Sequence, residues 1–84
     1  MNQENFVPPE FYWGGWSNPG EDDKALELLK KSGMPYKLGG SITEVQTPLL
    51  KWGIYEYRGL YEIACFIERW KNNTLPQYRD FDSF

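Results

Sequence analysis

The fold depends on residues 49–71, LLKWGIYEYRGLYEIACFIERWK, because two hydrophobic periodicities compete in this stretch. If Arg58-Gly59 is a two-residue hairpin turn, alternate positions on both sides of it form one strand face that is almost wholly apolar. The members of that face would be Leu50, Trp52, Ile54, Tyr61, Ile63, Cys65 and Ile67. The opposite face would mix charged side chains with rings, chiefly those of Tyr55, Tyr57 and Phe66.

A helix over residues 60–72 is the alternative. Apolar side chains then recur at i, i+3 and i+4 spacing and form a stripe of Leu60, Ile63, Ala64, Ile67 and Trp70. The aromatic and β-branched residues of the stretch favour strands, whereas the charged residues at 68–71 favour a helix. We prefer the hairpin, because a single choice of turn divides both of its strands into faces.

Upstream of this stretch, residues 19–32 predict an amphipathic helix. Asn18 is suited to cap its N-terminus, Pro19 to occupy its first position, and Glu21 to complete a capping box. Acidic residues crowd its first turn and basic residues its last, as the helix dipole favours. Gly33 supplies a left-handed stop at its C-terminus.

These segments together predict an α+β fold. We expect a single domain over residues 1–84, in which one helix packs on a small antiparallel sheet built from a sheet region at 36–70. Residues 36–46 predict the first strand of that region, bent at Gly39-Gly40 and strongest over 41–45.

Both ends of the chain are expected to be irregular. Residues 1–17 predict an extended aromatic and acidic arm, too rich in rings to be a disordered tail, which packs across the domain. Residues 72–84 predict an irregular C-terminal tail. Its apolar residues that would dock on the body are Leu75, Tyr78, Phe81 and Phe84.

The chain contains no histidine and a single cysteine, Cys65. Histidine is the usual general base near neutral pH, and zinc and iron–sulfur sites need several Cys or His ligands. Two acidic residues of the hairpin, Glu62 and Glu68, would lie roughly 20 Å apart, too far for paired acid–base work. We therefore predict no enzyme, no cofactor and no metal site, and we expect Cys65 to be a small apolar residue of the core.

Charge is divided unevenly along the chain. Residues 1–23 carry five acidic side chains and no Lys or Arg, whereas residues 24–84 carry nine basic and seven acidic side chains, a net charge of +2. The basic residues are not clustered as in a nucleic-acid footprint, so we predict no direct nucleic-acid binding. An acidic segment of this kind would meet a basic surface of another protein.

Rings placed beside charged residues are typical of a protein-binding surface. The candidate binding residues are Glu10, Phe11, Tyr12, Trp13 and Trp16 of the arm, with Tyr55, Tyr57 and Phe66 of the hairpin. The function predicted from them is non-catalytic protein binding, with inhibition or neutralisation of the partner as its role. In composition alone, the chain resembles immunity proteins, antitoxins and phage-encoded inhibitors; no motif carries the resemblance, and no residue role follows from it.

Two other functions stay open at this point. The chain would be a structural subunit or homodimer if the aromatic hairpin face were buried against a second copy. It would bind a small ligand or a carbohydrate if its rings stacked on sugars. No segment reaches the roughly 20 apolar residues that span a bilayer, and residues 1–9 have no basic region and no apolar run, so we expect a cytoplasmic protein without membrane contact.

Overall fold

A computed structural model describes residues 6–80 of the chain. The elements in chain order are β1 (Glu10–Trp13), α1 (Glu21–Ser32), β2 (Lys37–Ser41), β3 (Leu49–Trp52), β4 (Tyr55–Arg58) and α2 (Gly59–Lys71). Two helices and a four-stranded sheet confirm the α+β class. The predicted docking of Phe81 and Phe84 lies outside the described residues.

The sheet is mixed, and its strand order is β2-β1-β3-β4. Strand β1 pairs parallel with β2 and antiparallel with β3, and β3 pairs antiparallel with β4. The parallel pair arises because α1 connects β1 to β2 as a crossover, which a purely antiparallel sheet would not need. The predicted arm therefore contains an inner strand of the sheet.

The preferred hairpin over residues 49–71 is wrong, and the alternative helix is correct. The chain turns earlier, through the two residues Gly53 and Ile54, so that Trp52 pairs with Tyr55. Gly53 has a φ of 62°, and glycine at the first position of a two-residue turn is typical of type II′ hairpins. After β4, Gly59 at a φ of 86° changes the chain direction and α2 begins at once.

The helical period is correct in α2 because it places Phe66 on the same buried face as Ile63 and Ile67. Ile63, Phe66 and Ile67 are almost fully buried, which a helix achieves with spacings of three and four. In the hairpin, Phe66 would have faced away from Ile63 and Ile67. Tyr61, which the hairpin placed in the core, is 80% exposed.

Helix α1 ends where predicted but begins two residues later. Gly33 has a φ of 79° and ends it in the left-handed conformation. At the other end the cap residue is Gly20, also left-handed, and no side chain caps the helix. Asn18 instead donates from Nδ2 to Glu21 Oε2 over 3.1 Å, so the predicted capping box with Asn18 and Pro19 is not formed.

Strand β2 is shorter and earlier than predicted. Of residues 41–45, expected to be its best part, only Ser41 is in the strand, because the pairing with β1 ends there. The register between β1 and β2 shifts between Phe11 and Tyr12, which leaves Gly39 as an extra, unpaired residue in β2. The ring of Tyr12 lies so close to Gly39 that a Cβ there would overlap the ring.

One hydrophobic core joins the sheet to both helices. Its buried members are Phe11, Ala25, Leu29, Met34, Leu50, Trp52, Ile63, Phe66 and Ile67. The N-termini of the two helices lie together, since Leu60 N donates to Glu21 Oε1 over 3.1 Å. This contact brings the acidic first turn of α1 beside the start of α2.

Candidate functional site

Two of the predicted binding residues belong to the core. Phe11 and Phe66 are each 1% exposed and lie in the cluster that joins the sheet to the helices. Phe11 is buried because β1 is an inner strand, and Phe66 because α2 turns it toward the sheet. Neither side chain can contact a partner in the folded protein.

Tyr55 and Tyr57 also face the core, contrary to the predicted recognition face. The turn at residues 53–54 aligns them with Trp52 and Leu50 across β3. The ring of Tyr55 lies 5.8 Å from that of Trp52, and the ring of Tyr57 lies 4.7 Å from that of Phe66. Burial raises the pKa of the Tyr57 phenol, partly opposed by the positive charge of Arg69.

Glu10 and Tyr12 lie together on the sheet face opposite the helices. The Tyr12 hydroxyl donates to Glu10 Oε1 over 2.8 Å, and this hydrogen bond is the main reason that the pKa of Tyr12 is raised. The Lys51 ammonium lies 5.4 Å from the centre of the Tyr12 ring. Trp13, on the other face, is half-buried with its ring 6.1 Å from that of Phe11.

Among the aromatic residues predicted to bind a partner, Trp16 has a ring that stays exposed. It is 69% exposed, yet both of its backbone polar groups are fixed. Trp16 N donates to Val45 O, and Thr47 N donates to Trp16 O, each over 2.8 Å. A Cβ at Gly15 would overlap the Val45 carbonyl, so the residue before Trp16 must be glycine for the two segments to lie this close.

The side chain of Asp22 ties this turn to helix α1. Asp22 Oδ2 accepts from Gly14 N over 3.1 Å and from Thr47 Oγ1 over 3.3 Å. Thr47, fully buried, accepts in turn from Gly15 N over 3.0 Å. Hydrogen bonds from the helix and from residues 45–47 therefore hold the backbone that carries Trp16 in one position.

A cavity of about 270 Å³ lies beside the exposed indole. Its lining residues are Trp16, Ser17, Asn18, Glu21, Gln46 and Thr47, and we call it the Trp16 pocket. No Lys or Arg is present among the described residues that line it. Glu21 supplies its carboxylate, which accepts from Leu60 N through Oε1 and from Asn18 Nδ2 through Oε2.

The charge around the Trp16 pocket is negative. Glu21 in the lining, with Asp22 and Asp23 beside it in the first turn of α1, contributes three negative charges, and Lys24, the next residue, contributes one positive charge. The N-termini of α1 and α2 oppose the negative charges with only about half a positive charge each. A cation is therefore attracted to the mouth of the pocket, and an anion is repelled.

Two further cavities depend on the second helix, which is why the sequence did not indicate them. The larger, about 530 Å³, follows the groove between the helices and is lined by Asp23, Lys24, Glu27, Leu28, Lys31, Leu60 and Ala64. The other, about 290 Å³, lies between β4 and α2 and is lined by Glu56, Tyr57, Tyr61, Glu62, Cys65, Phe66 and Arg69. Cys65 is half-buried there rather than in the core.

Within residues 6–80, no three Cys, Asp or Glu side chains lie close enough together to hold a metal ion. In the same part of the chain, neither helix has the length and apolar character needed to cross a membrane.

Comparison with known proteins finds no match to any family model, any curated protein or any solved structure.

Proposed function

We propose that this chain is a non-catalytic, cytoplasmic protein-binding domain that anchors a partner on Trp16. The observation that carries the proposal is an indole that is 69% exposed on a backbone held by hydrogen bonds. Tryptophan is among the residues that most often dominate binding energy at protein interfaces. Because the backbone around it is already ordered, little backbone conformational entropy is lost when a partner covers the ring.

The neighbourhood of Trp16 favours a basic partner. Three acidic side chains lie at the start of α1, and the described lining of the Trp16 pocket contains no basic residue. Complementary charge accelerates association and excludes partners of the wrong sign. We propose inhibition as the role, in which the domain neutralises its partner by covering part of the partner's surface.

The test compares capture of a partner from the native host by the wild-type chain and by two variants. Trp16→Ala removes the proposed anchor, and Tyr61→Ala removes a ring on α2 that is at least as accessible, since Tyr61 is 80% exposed. The proposal requires a protein that wild type and Tyr61→Ala retain, that Trp16→Ala loses, and that moderate salt elutes. Purified partner then confirms direct binding by calorimetry.

Equal retention of that protein by Trp16→Ala would exclude Trp16 as the anchor. Equal loss with both variants would show nonspecific adhesion of exposed rings and would also contradict the proposal. Thermal unfolding of each variant is measured alongside, so that a loss of binding is compared only between folded proteins.

A further inference from the structure

We infer that the Trp16 pocket receives an arginine side chain of the partner. The inference deepens the proposed function and rests on it, because it names the chemical group that the anchor binds. It stands on three features of the pocket, which are an accessible indole face, a carboxylate with free acceptor positions, and a surrounding negative charge.

The indole face provides the first contact. A guanidinium is planar and weakly hydrated, and it stacks on the electron-rich face of tryptophan. Trp16 is accessible over most of its surface and lines the pocket, and the two hydrogen bonds of its backbone fix the point from which the side chain extends. An incoming guanidinium therefore meets an accessible indole on backbone that does not have to be ordered first.

The Glu21 carboxylate provides the second contact. An ionised carboxylate has about four acceptor positions, two on each oxygen. Leu60 N occupies one on Oε1 and Asn18 Nδ2 occupies one on Oε2, at 3.1 Å each. About one position is left on each oxygen, so each oxygen still has an acceptor for one of the two N–H groups that a guanidinium presents to a carboxylate.

The charge balance selects a cation over other occupants. The acidic first turn of α1 outweighs the positive ends of both helices, so an anionic group would be repelled. An apolar side chain would cover the Glu21 carboxylate without replacing its contacts with water, which is unfavourable. Lysine would satisfy the charge, but its compact and strongly hydrated ammonium lacks the planar fork with which a guanidinium stacks on the indole and pairs with both carboxylate oxygens.

The experiment uses three blocked pentapeptides, Gly-Gly-X-Gly-Gly, in which X is arginine, lysine or citrulline. Citrulline has the shape of arginine without its charge. Each peptide is titrated into the wild-type chain, and the indole N–H resonance of Trp16, assigned by its absence from Trp16→Phe, is followed by NMR. We expect arginine to bind at least about fivefold more tightly than citrulline and about threefold more tightly than lysine.

A pair of matched variants locates the second contact. Glu21→Gln keeps an oxygen acceptor for Leu60 N but removes the charge, so it should weaken arginine binding about fivefold in a protein that stays folded, with a smaller loss of thermal stability than Glu21→Ala. Glu27→Gln removes one negative charge from an exposed position of the same helix outside the pocket and should leave the titration unchanged.

Equal shifts from the arginine and citrulline peptides, or no shift of the Trp16 resonance, would overturn the inference. If that happens while Trp16→Ala still loses the captured partner, the proposed function stands and only the identity of the bound group is wrong. If the arginine peptide binds as expected but Trp16→Ala retains the partner, the pocket is correct and the proposed function fails.

Discussion

Trp13 and Trp16 are three residues apart in the chain, yet their rings have opposite surroundings. Trp13 packs on Phe11 and on the core, whereas Trp16 is 69% exposed. Trp13→Ala should lower the free energy of unfolding by about 2–3 kcal/mol, because it leaves a space against the core. Trp16→Ala should change it by less than about 0.5 kcal/mol, as expected of an exposed side chain.

Urea unfolding followed by far-UV circular dichroism measures both values. This expectation replaces the one drawn from the sequence, in which both tryptophans belonged to one binding surface. Similar losses of stability for the two variants would show that Trp16 also supports the fold, and its availability to a partner would then be in doubt.

Tyr57 makes the stability depend on pH in the alkaline range. Burial raises the pKa of its phenol above the ordinary value of 10.0, so the folded protein holds this proton more tightly than the unfolded chain does. The resulting stability is fully present below pH 10 and is lost as the pH rises through the raised pKa. Tyr57→Phe should therefore lose less of its free energy of unfolding above pH 10 than wild type loses.

Unfolding by urea near neutral pH and again above pH 10 provides the comparison. Tyr61→Phe is the matched control, since it removes the hydroxyl of a ring that is 80% exposed and should follow wild type. If the three proteins lose stability in parallel, burial of the Tyr57 phenol is not the cause of the alkaline decline.

At the scale of elements, the sequence predicted the helix that carries its own signals and missed the one that depends on tertiary packing. Helix α1 has acidic residues at its start, basic residues at its end and a glycine after it, all of which act locally. In α2 the aromatic residues favoured strands, and the choice of helix over strand depended on burial of Phe66 against the sheet. The alternation of apolar residues from Leu50 to Ile67 fitted two strands only because the true turn, at Gly53, was not recognised.

The candidate site was also predicted only in part, because some of its features are local to the sequence and others depend on tertiary packing. The absence of basic residues before Lys24 indicated an acidic surface, and Trp16 was one of its proposed anchors. The sequence could not separate Trp16 from Phe11, because only the pairing of β1 between β2 and β3 decides which rings are covered. Nor could it show that Glu21 contacts α2, since that contact joins residues 39 positions apart.

Glu21 is expected to stabilise both helices at their common end. Glu21→Ala removes the acceptor of Leu60 N and of Asn18 Nδ2, and the orphaned N–H of α2 should lower the free energy of unfolding by about 1–2 kcal/mol. Glu21→Gln, which keeps an oxygen at the same place, should lose less than half of that amount.

Hydrogen exchange of the Leu60 amide gives the specific measurement. Exchange at this amide should accelerate in Glu21→Ala more than exchange at Ile63, which lies within the hydrogen-bonded part of α2. An unchanged Leu60 rate would mean that the hydrogen bond to Glu21 does not protect the N-terminus of α2.

Over the whole molecule, the described ends of the chain meet at one side chain. The ring of Phe6 lies 5.8 Å from that of Trp52, and Trp52 Nε1 donates to Val7 O over 2.7 Å. From the other end, the ring of Tyr78 lies 5.2 Å from Trp52 in an edge-on arrangement, while Ile54 N donates to Arg79 O over 2.8 Å. Trp52, in an inner strand, is thus 4% exposed because segments from both ends of the chain cover it.

Tyr78→Ala should therefore affect the core although residue 78 lies outside every helix and strand. Loss of the ring uncovers the indole of Trp52 and should lower the free energy of unfolding by about 1–2 kcal/mol, whereas Tyr61→Ala, an exposed ring within a helix, should change it by less than about 0.5 kcal/mol. Acrylamide quenching of tryptophan fluorescence, measured in a Trp16→Phe background that removes the exposed indole, should rise in Tyr78→Ala. Unchanged quenching and stability would show that residues 74–80 lie on a core that is already closed without them.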